Sequence, residues 1–269
     1  MAENILDQII SNKRKEVEER KSLYPVKLLE KSIYFNSPVV SLKKYLLRED
    51  KEGIIAEIKR KSPSKGMINQ YISIEKTSIG YMQAGASALS VLTDTQFFGG
   101  TNDDLATARK FNYCPILRKD FTIDEYQIIE ARSIGADAIL LLANVLSVAE
   151  IEKFTILAHS LGLEVLLELR DKEELKSVNN KIDIVGVNNR NLKDFKTDVN
   201  YSFEMAKLLP KEMVKVSESG IASAKTIMQL RDVGFNGFLI GEAFMAHAQP
   251  EDACAALVNE IRKAKVALA

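Results

Sequence analysis

From Gly53 onward, short apolar, β-branched runs alternate with longer amphipathic stretches, and this rhythm constrains the fold more than any other feature of the chain. The runs are GIIAEIK (53–59), ALSVLT (88–93), PILRKD (115–120), DAILLL (137–142), LEVLLEL (163–169), DIVGVNN (183–189), MVKVSES (213–219) and GFLIG (237–241). Between them lie segments of helical periodicity, among them Glu75–Ala84, Asp124–Ser133, Val148–Ser160 and Ala224–Asp232. The sequences AGAS, SIGAD, SLGLE and DVGFNG each put a glycine where a helix must stop and the next strand begin. One strand per repeat, each followed by a helix, implies a parallel sheet. Eight such units over about 215 residues match a (β/α)8 TIM barrel. A doubly wound open sheet competes, but it announces itself by a glycine-rich nucleotide turn after the first strand. Here that turn is RKSPSKG, without GxGxxG, and the barrel is the expected fold.

The first 48 residues differ. Ile5, Leu6, Ile9, Ile10 and Val17 fall at helical spacing among lysines and glutamates, predicting an amphipathic helix of about four to five turns. A second short helix is expected near Val39–Leu47, after Pro38. Residues 1–48 therefore read as an N-terminal helical extension packed on a barrel domain of residues 49–269, with a single domain overall.

Composition excludes several function classes. The 37 basic and 37 acidic residues cancel, so no field of one sign recruits nucleic acid or an acidic membrane surface. No run of 18 or more apolar residues predicts a membrane span. The N-terminus MAENILDQIISNKRKEVEER lacks the apolar centre of a signal peptide. Cys114 and Cys254 stand apart, as reduced thiols would, and the cytoplasm is the expected compartment. Both histidines, His159 and His247, fall in predicted helices away from strand ends. Neither a His/Cys metal site nor a Ser-His-Asp triad is expected.

In a barrel of this kind, chemistry sits at the C-terminal ends of the strands. Those ends carry Glu57 and Lys59, Arg118 and Lys119, Glu168, Asn188 and Arg190, and Ser217-Glu218-Ser219-Gly220. Alternation puts Glu57 and Lys59 opposite Ile54, Ala56 and Ile58, and Glu168 opposite Val165, Leu167 and Leu169. Polar residues face the mouth and aliphatic ones the helices. Such a set could be a structural ion-pair network, but burying ions is costly and apolar replacements often serve stability as well, so a ring of four or more charges points to function. FFGG (97–100) is expected to be a loop offering aromatic rings to a ligand. ESGI before a helix near Ser223, and GEAFM as a short extra helix, match the phosphate site formed after strands 7 and 8. There Gly220 and Gly241 allow close backbone approach.

The segments IIAEIKRKSPSKG, LRKDF, LLELRDKEEL, GVNNRNL, SESGI and FLIGEAFM, in that order, together with ILDQIISNKRKEV at the start, resemble indole-3-glycerol-phosphate synthase. The resemblance implies a carboxy-lyase of tryptophan biosynthesis that needs no cofactor. It converts 1-(2-carboxyphenylamino)-1-deoxyribulose 5-phosphate to indole-3-glycerol phosphate, CO₂ and water. It further implies Lys119 as general acid, its pKa lowered by a dry pocket or neighbouring cations, and Glu168 as acid/base in dehydration. Lys59 would engage the anionic substrate, and Glu57 would hold the lysines in place. Ser62 and Asn188 would contact the substrate carboxylate, with Arg190 beside them; Phe98, Phe121 and Leu140 would pack on the anthranilate ring. Glu218, Ser219, Gly220, Gly241 and Glu242 would bind substrate, the phosphate lying at the last four, and Glu242 would use its backbone N–H with its side chain turned away. The N-terminal helix would cover the barrel mouth. The expected partner is a small phosphorylated molecule, with the chain a monomer and a weak homodimer the alternative. Another phosphosugar-processing barrel isomerase, or a catalytically silent phosphate binder, remains the competing assignment.

Overall fold

The computed structural model describes residues 4–191 and 196–268; Leu192 of the GVNNRNL segment lies outside them. Eight parallel strands form a closed barrel: β1 (Ile54–Ile58), β2 (Ala88–Leu92), β3 (Ile116–Lys119), β4 (Ala138–Leu142), β5 (Glu164–Leu169), β6 (Ile184–Asn188), β7 (Val214–Glu218) and β8 (Gly237–Ile240). Each strand pairs with its neighbours in sequence, and β1 pairs with both β2 and β8. The helices are α1 (Ile5–Leu23), α2 (Val26–Leu29), α3 (Leu42–Leu46), α4 (Ile74–Gln83), α5 (Thr95–Phe98), α6 (Asn102–Phe111), α7 (Glu125–Ser133), α8 (Val148–Ser160), α9 (Asn200–Ala206), α10 (Ala224–Asp232), α11 (Glu242–Met245) and α12 (Pro250–Leu268). After β5 the crossover is a 3₁₀ helix, Lys172–Ser177.

Local chemistry explains the boundaries. Thr101, Asp124 and Ser147 cap α6, α7 and α8 with reciprocal capping boxes, and Ser223 caps α10 through the N–H of Thr226. Gly85, Gly135, Gly162 and Gly234, the expected stop signals, all take positive φ, between +78° and +99°, where a side chain would be strained. FFGG differs from expectation. Phe97 and Phe98 end α5, because the Asp94 carboxylate caps that turn and Gly99 closes it at φ +69°. His247 lies just beyond α11 rather than inside a helix.

Alternation divides the core as expected. Outward residues such as Ile54, Leu89, Ile116, Leu141, Val165 and Val185 pack on the helices, while Ile55, Leu117, Leu140, Leu166, Val216 and Leu239 fill the barrel. The bottom is closed by α3, whose Leu42 and Leu46 join the interior cluster; Glu164, facing inward at the start of β5, accepts the Lys43 N–H at 2.8 Å. At the top lies α1, with Ile9 buried against that same cluster. Among the described residues no helix is long and apolar enough to cross a membrane.

Candidate active site

A cavity of about 630 Å³ opens at the C-terminal end of the barrel. All fifteen residues that the resemblance assigns to the site, from Glu57 to Glu242, line it; thirteen stand near or just after the ends of barrel strands, while Phe98 is carried by α5 and Ser62 stands in the turn after β1. Ile5 and Ile9 of α1 complete the lining, so the N-terminal helix does reach over the mouth.

Lys119 is the centre of the charge arrangement. As the last residue of β3 it points inward with Leu117, and its Nζ lies 3.0 Å from Glu168 Oε2 and 2.7 Å from Glu218 Oε2. Burial disfavours the ammonium, but Glu168 and Glu218 outweigh it and hold its pKa above the ordinary lysine value. This corrects the expectation of a lowered pKa: the pocket is dry, but its nearest charges are anions. Lys119 is therefore a fully protonated donor before anything binds.

The two glutamates differ. Burial would raise Glu168, but Arg170, Lys119 and the Asn188 amide together hold its carboxyl below the usual range. Arg170 Nε and Nη2 both lie 2.7 Å from Glu168 Oε1, and Asn188 Nδ2 donates to the same oxygen at 2.9 Å. Glu218 has Lys119 but lies close to other carboxylates, and burial pushes it up to about 7; its Oε1 is buried without a hydrogen-bond partner. Space for that oxygen exists because position 186 is glycine: a Cβ there would stand 2.4 Å from Glu218 Oε1.

Glu57 accepts from Lys59 Nζ at 2.8 Å and, without a hydrogen bond to Lys119, adds to the negative field that keeps that ammonium protonated. Gly241 lets this pair pass under α11, since a Cβ there would meet Glu57 Oε1 at 2.5 Å. Phe98 and Phe121 tilt against each other with centroids 5.9 Å apart, and Leu140 and Leu142 extend the apolar wall. Opposite them, Ser219 and Gly220 follow β7 at φ +68° and +76°, ahead of α10, and Gly241 and Glu242 open α11. Helix starts leave backbone N–H groups without intrahelical acceptors. Arg190 bridges this side, donating to Ser64 Oγ at 2.6 Å and to Glu242 Oε2 at 2.9 Å, while Lys65 lies 3.5 Å from Glu242 Oε1. The Glu242 carboxylate thus turns to two cations. Ser62, buried beneath the same turn, accepts the Lys65 N–H at 3.3 Å.

Arg118 does not join the ring. Adjacent strand residues face opposite ways, so it points into the helix layer, donating to Glu130 at 2.7 Å and to the Gln127 carbonyl at 2.8 Å. By the same alternation Arg170 shares the face of Glu168, and two-residue spacing alone would have marked it as part of the site. Among the described residues no group of three or more His, Cys, Asp or Glu side chains could hold a metal ion.

The family model for indole-3-glycerol phosphate synthase matches residues 6–257. The chain belongs to the indole-3-glycerol phosphate synthase family. A relative of that name from Bacteroides thetaiotaomicron is 50% identical over 247 residues, covering 92% of this chain and 95% of its own. Another, from Campylobacter hominis, is 40% identical over 258 residues, covering 94% and 97%. Among solved structures, the tryptophan synthase alpha subunit of Legionella pneumophila superposes with a TM-score of 0.59 at 14% identity, over 83% of this chain and 97% of that one. At that identity the likeness speaks for the barrel fold alone.

Proposed function

We propose that this chain is an indole-3-glycerol phosphate synthase, closing the indole ring of 1-(2-carboxyphenylamino)-1-deoxyribulose 5-phosphate with loss of CO₂ and water. The observation that carries the proposal is the Lys119 ammonium, held between Glu168 and Glu218 at the floor of a cavity with an aromatic wall on one side and two helix starts on the other.

The anthranilate ring lies against Phe98, Phe121 and Leu140, and its carboxylate meets Ser62 and Asn188, with Arg190 close by. The phosphate takes the backbone N–H groups at Ser219–Gly220 and Gly241–Glu242, with dipoles aligned toward the anion. Because Glu242 pairs with Arg190 and Lys65, its side chain keeps its charge out of the phosphate's way. Lys59, steadied by Glu57, supplies a cation to the anionic substrate.

The ring carbon bearing the carboxylate attacks the sugar ketone. Lys119 donates its proton to the ketone oxygen as the new carbon–carbon bond takes the electron pair, and its raised pKa means the proton is always present to give. The carboxylate leaves as CO₂, its bonding electrons restoring the ring system. Dehydration then expels the new hydroxyl as water while a proton leaves the ring system, with Glu168, ionised by its cationic neighbours, as the acid/base. Ile5 and Ile9 limit water entry during this sequence. The two buried free thiols, Cys114 and Cys254, suit a cytoplasmic setting.

Mixing the purified chain with the carboxyphenylamino-deoxyribulose phosphate and following indole fluorescence tests the proposal; a folded protein giving no signal rejects it. Lys119→Ala should reduce turnover by at least the 10²- to 10⁴-fold typical of a lost general acid, roughly, and near-normal turnover would remove Lys119 from that role.

A further inference from the structure

Lys13 has no solvent exposure, yet it is a lysine in the middle of an amphipathic helix. It lies one turn after Ile9 on the same face of α1, and three carboxylates surround its ammonium. Lys13 Nζ donates a hydrogen bond to Glu16 of the same helix at 2.9 Å, and Asp94 Oδ2 and Asp120 Oδ1 are each 3.0 Å away. The Asp94 contact is an ion pair by distance, without an aligned hydrogen on that oxygen. Burial opposes the charge, but Asp120, Asp94 and Glu16 more than compensate and keep the ammonium protonated.

Both aspartates are attached to a wall of the cavity. Asp94 follows β2 and caps α5 through the Phe97 N–H at 2.7 Å, so it sets the turn that carries Phe98. Asp120 follows Lys119 directly; its Oδ1 accepts the Phe121 N–H at 2.8 Å and its Oδ2 accepts the Thr93 hydroxyl at 2.7 Å. The loops after β2 and β3 therefore meet at two carboxylates whose mutual repulsion Lys13 offsets by contacting both, while Arg118 Nη2 reaches Asp120 Oδ2 alone, at 3.2 Å. The cation comes from the helix that places Ile5 and Ile9 over the same cavity. If α1 needed only an anchor, a leucine or methionine would supply it without burying an ammonium against Asp94 and Asp120, and buried ion pairs are weak contributors to net stability.

We infer that Lys13 is a positioning residue: it ties the N-terminal helix to the loops bearing Phe98 and Phe121, and so assembles the aromatic wall and its cover as one unit. It touches no substrate and governs the aromatic end, leaving the phosphate end untouched. The inference rests on the assignment of the aromatic moiety to that wall, and binding experiments separate the two.

The decisive comparison is Lys13→Met in the full chain, with Lys13→Arg and Lys13→Met/Asp94→Asn beside it. Folding is checked by urea unfolding, and all assays run well below the transition. For Lys13→Met we expect KM to rise about tenfold or more, with kcat falling less; anthranilate binding, read from its own fluorescence, should weaken by a similar factor, and the Kd of inorganic phosphate should stay within about twofold (a tenfold change is about 1.4 kcal/mol). Removing the repulsion with Asp94→Asn should restore the urea midpoint without restoring KM, which a merely structural lysine would not do. Lys13→Arg should keep most of the affinity. The inference is overturned if Lys13→Met leaves KM and anthranilate binding unchanged, if phosphate and anthranilate weaken equally, or if the double variant recovers both stability and KM. Should Lys13→Met not fold, the same readouts on the double variant decide. Absence of indole product from the wild-type chain would reject the synthase assignment, while the anthranilate and phosphate measurements would still judge Lys13.

Discussion

Arg170→Met removes the strongest influence keeping Glu168 ionised while retaining an apolar stem of similar reach. Two guanidinium contacts at 2.7 Å disappear, leaving Lys119 at 3.0 Å and the Asn188 amide at 2.9 Å. The Arg170 side chain is only 14% exposed, so solvent offers little screening. Breaking a buried pair from one side costs about 3 kcal/mol or somewhat more. At about 1.4 kcal/mol per unit, that corresponds to a rise of roughly two units in the Glu168 pKa. Because Glu168 titrates below its unfolded value of about 4.3, its contribution to stability is complete above that pH and fades as pH falls toward the folded value. The urea midpoint of the variant should therefore lie well below wild type near about pH 7, and the gap should narrow below about pH 4. In the rate assay, the acid limb of kcat/KM should move to higher pH, since a base that protonates more easily is lost sooner. If the stability gap were the same at both pH values and the acid limb did not move, Arg170 would be a packing residue, with Lys119 and Asn188 sufficient to hold Glu168.

Glu168→Gln keeps the shape but turns an acceptor of three cationic or amide donors into a half-donor; turnover should fall roughly 10²- to 10⁴-fold, with a pre-dehydration species visible in quenched time courses, and unchanged turnover would exclude Glu168 as acid/base. Gly241→Ala places a methyl 2.5 Å from Glu57 Oε1, and the displacement should cost about 1–3 kcal/mol, read as a KM about tenfold higher or more; an unaltered KM would mean that the Glu57–Lys59 pair does not depend on that close approach.

Much of the fold was legible because it is written in local repeats. Strand and helix boundaries fell within a residue or two of the hydrophobic runs, since apolar alternation, side-chain caps and glycine stops are properties of neighbouring residues. The division between Ile54 and Ile55, one facing helices and one facing the interior, follows from the same two-residue period. The period also carried two facts that were overlooked. Arg118 must face away from Lys119, and Arg170 must face with Glu168. Lys13 gave no such signal: in α1 it is one of several lysines, and nothing in its neighbours says that two aspartates from other segments will surround it.

The order of the residues alone determined that eight strands would form, which face of each would be polar, and which charges would stand at the strand ends. Barrel closure decided who meets whom. It brings Lys119 to Glu168 across 49 positions and to Glu218 across 99; the fields of those two carboxylates at about 3 Å outweigh burial and set the direction in which Lys119 titrates, while for Glu218 burial wins over the lysine. Distances through space enter Coulomb's law; distances along the chain do not.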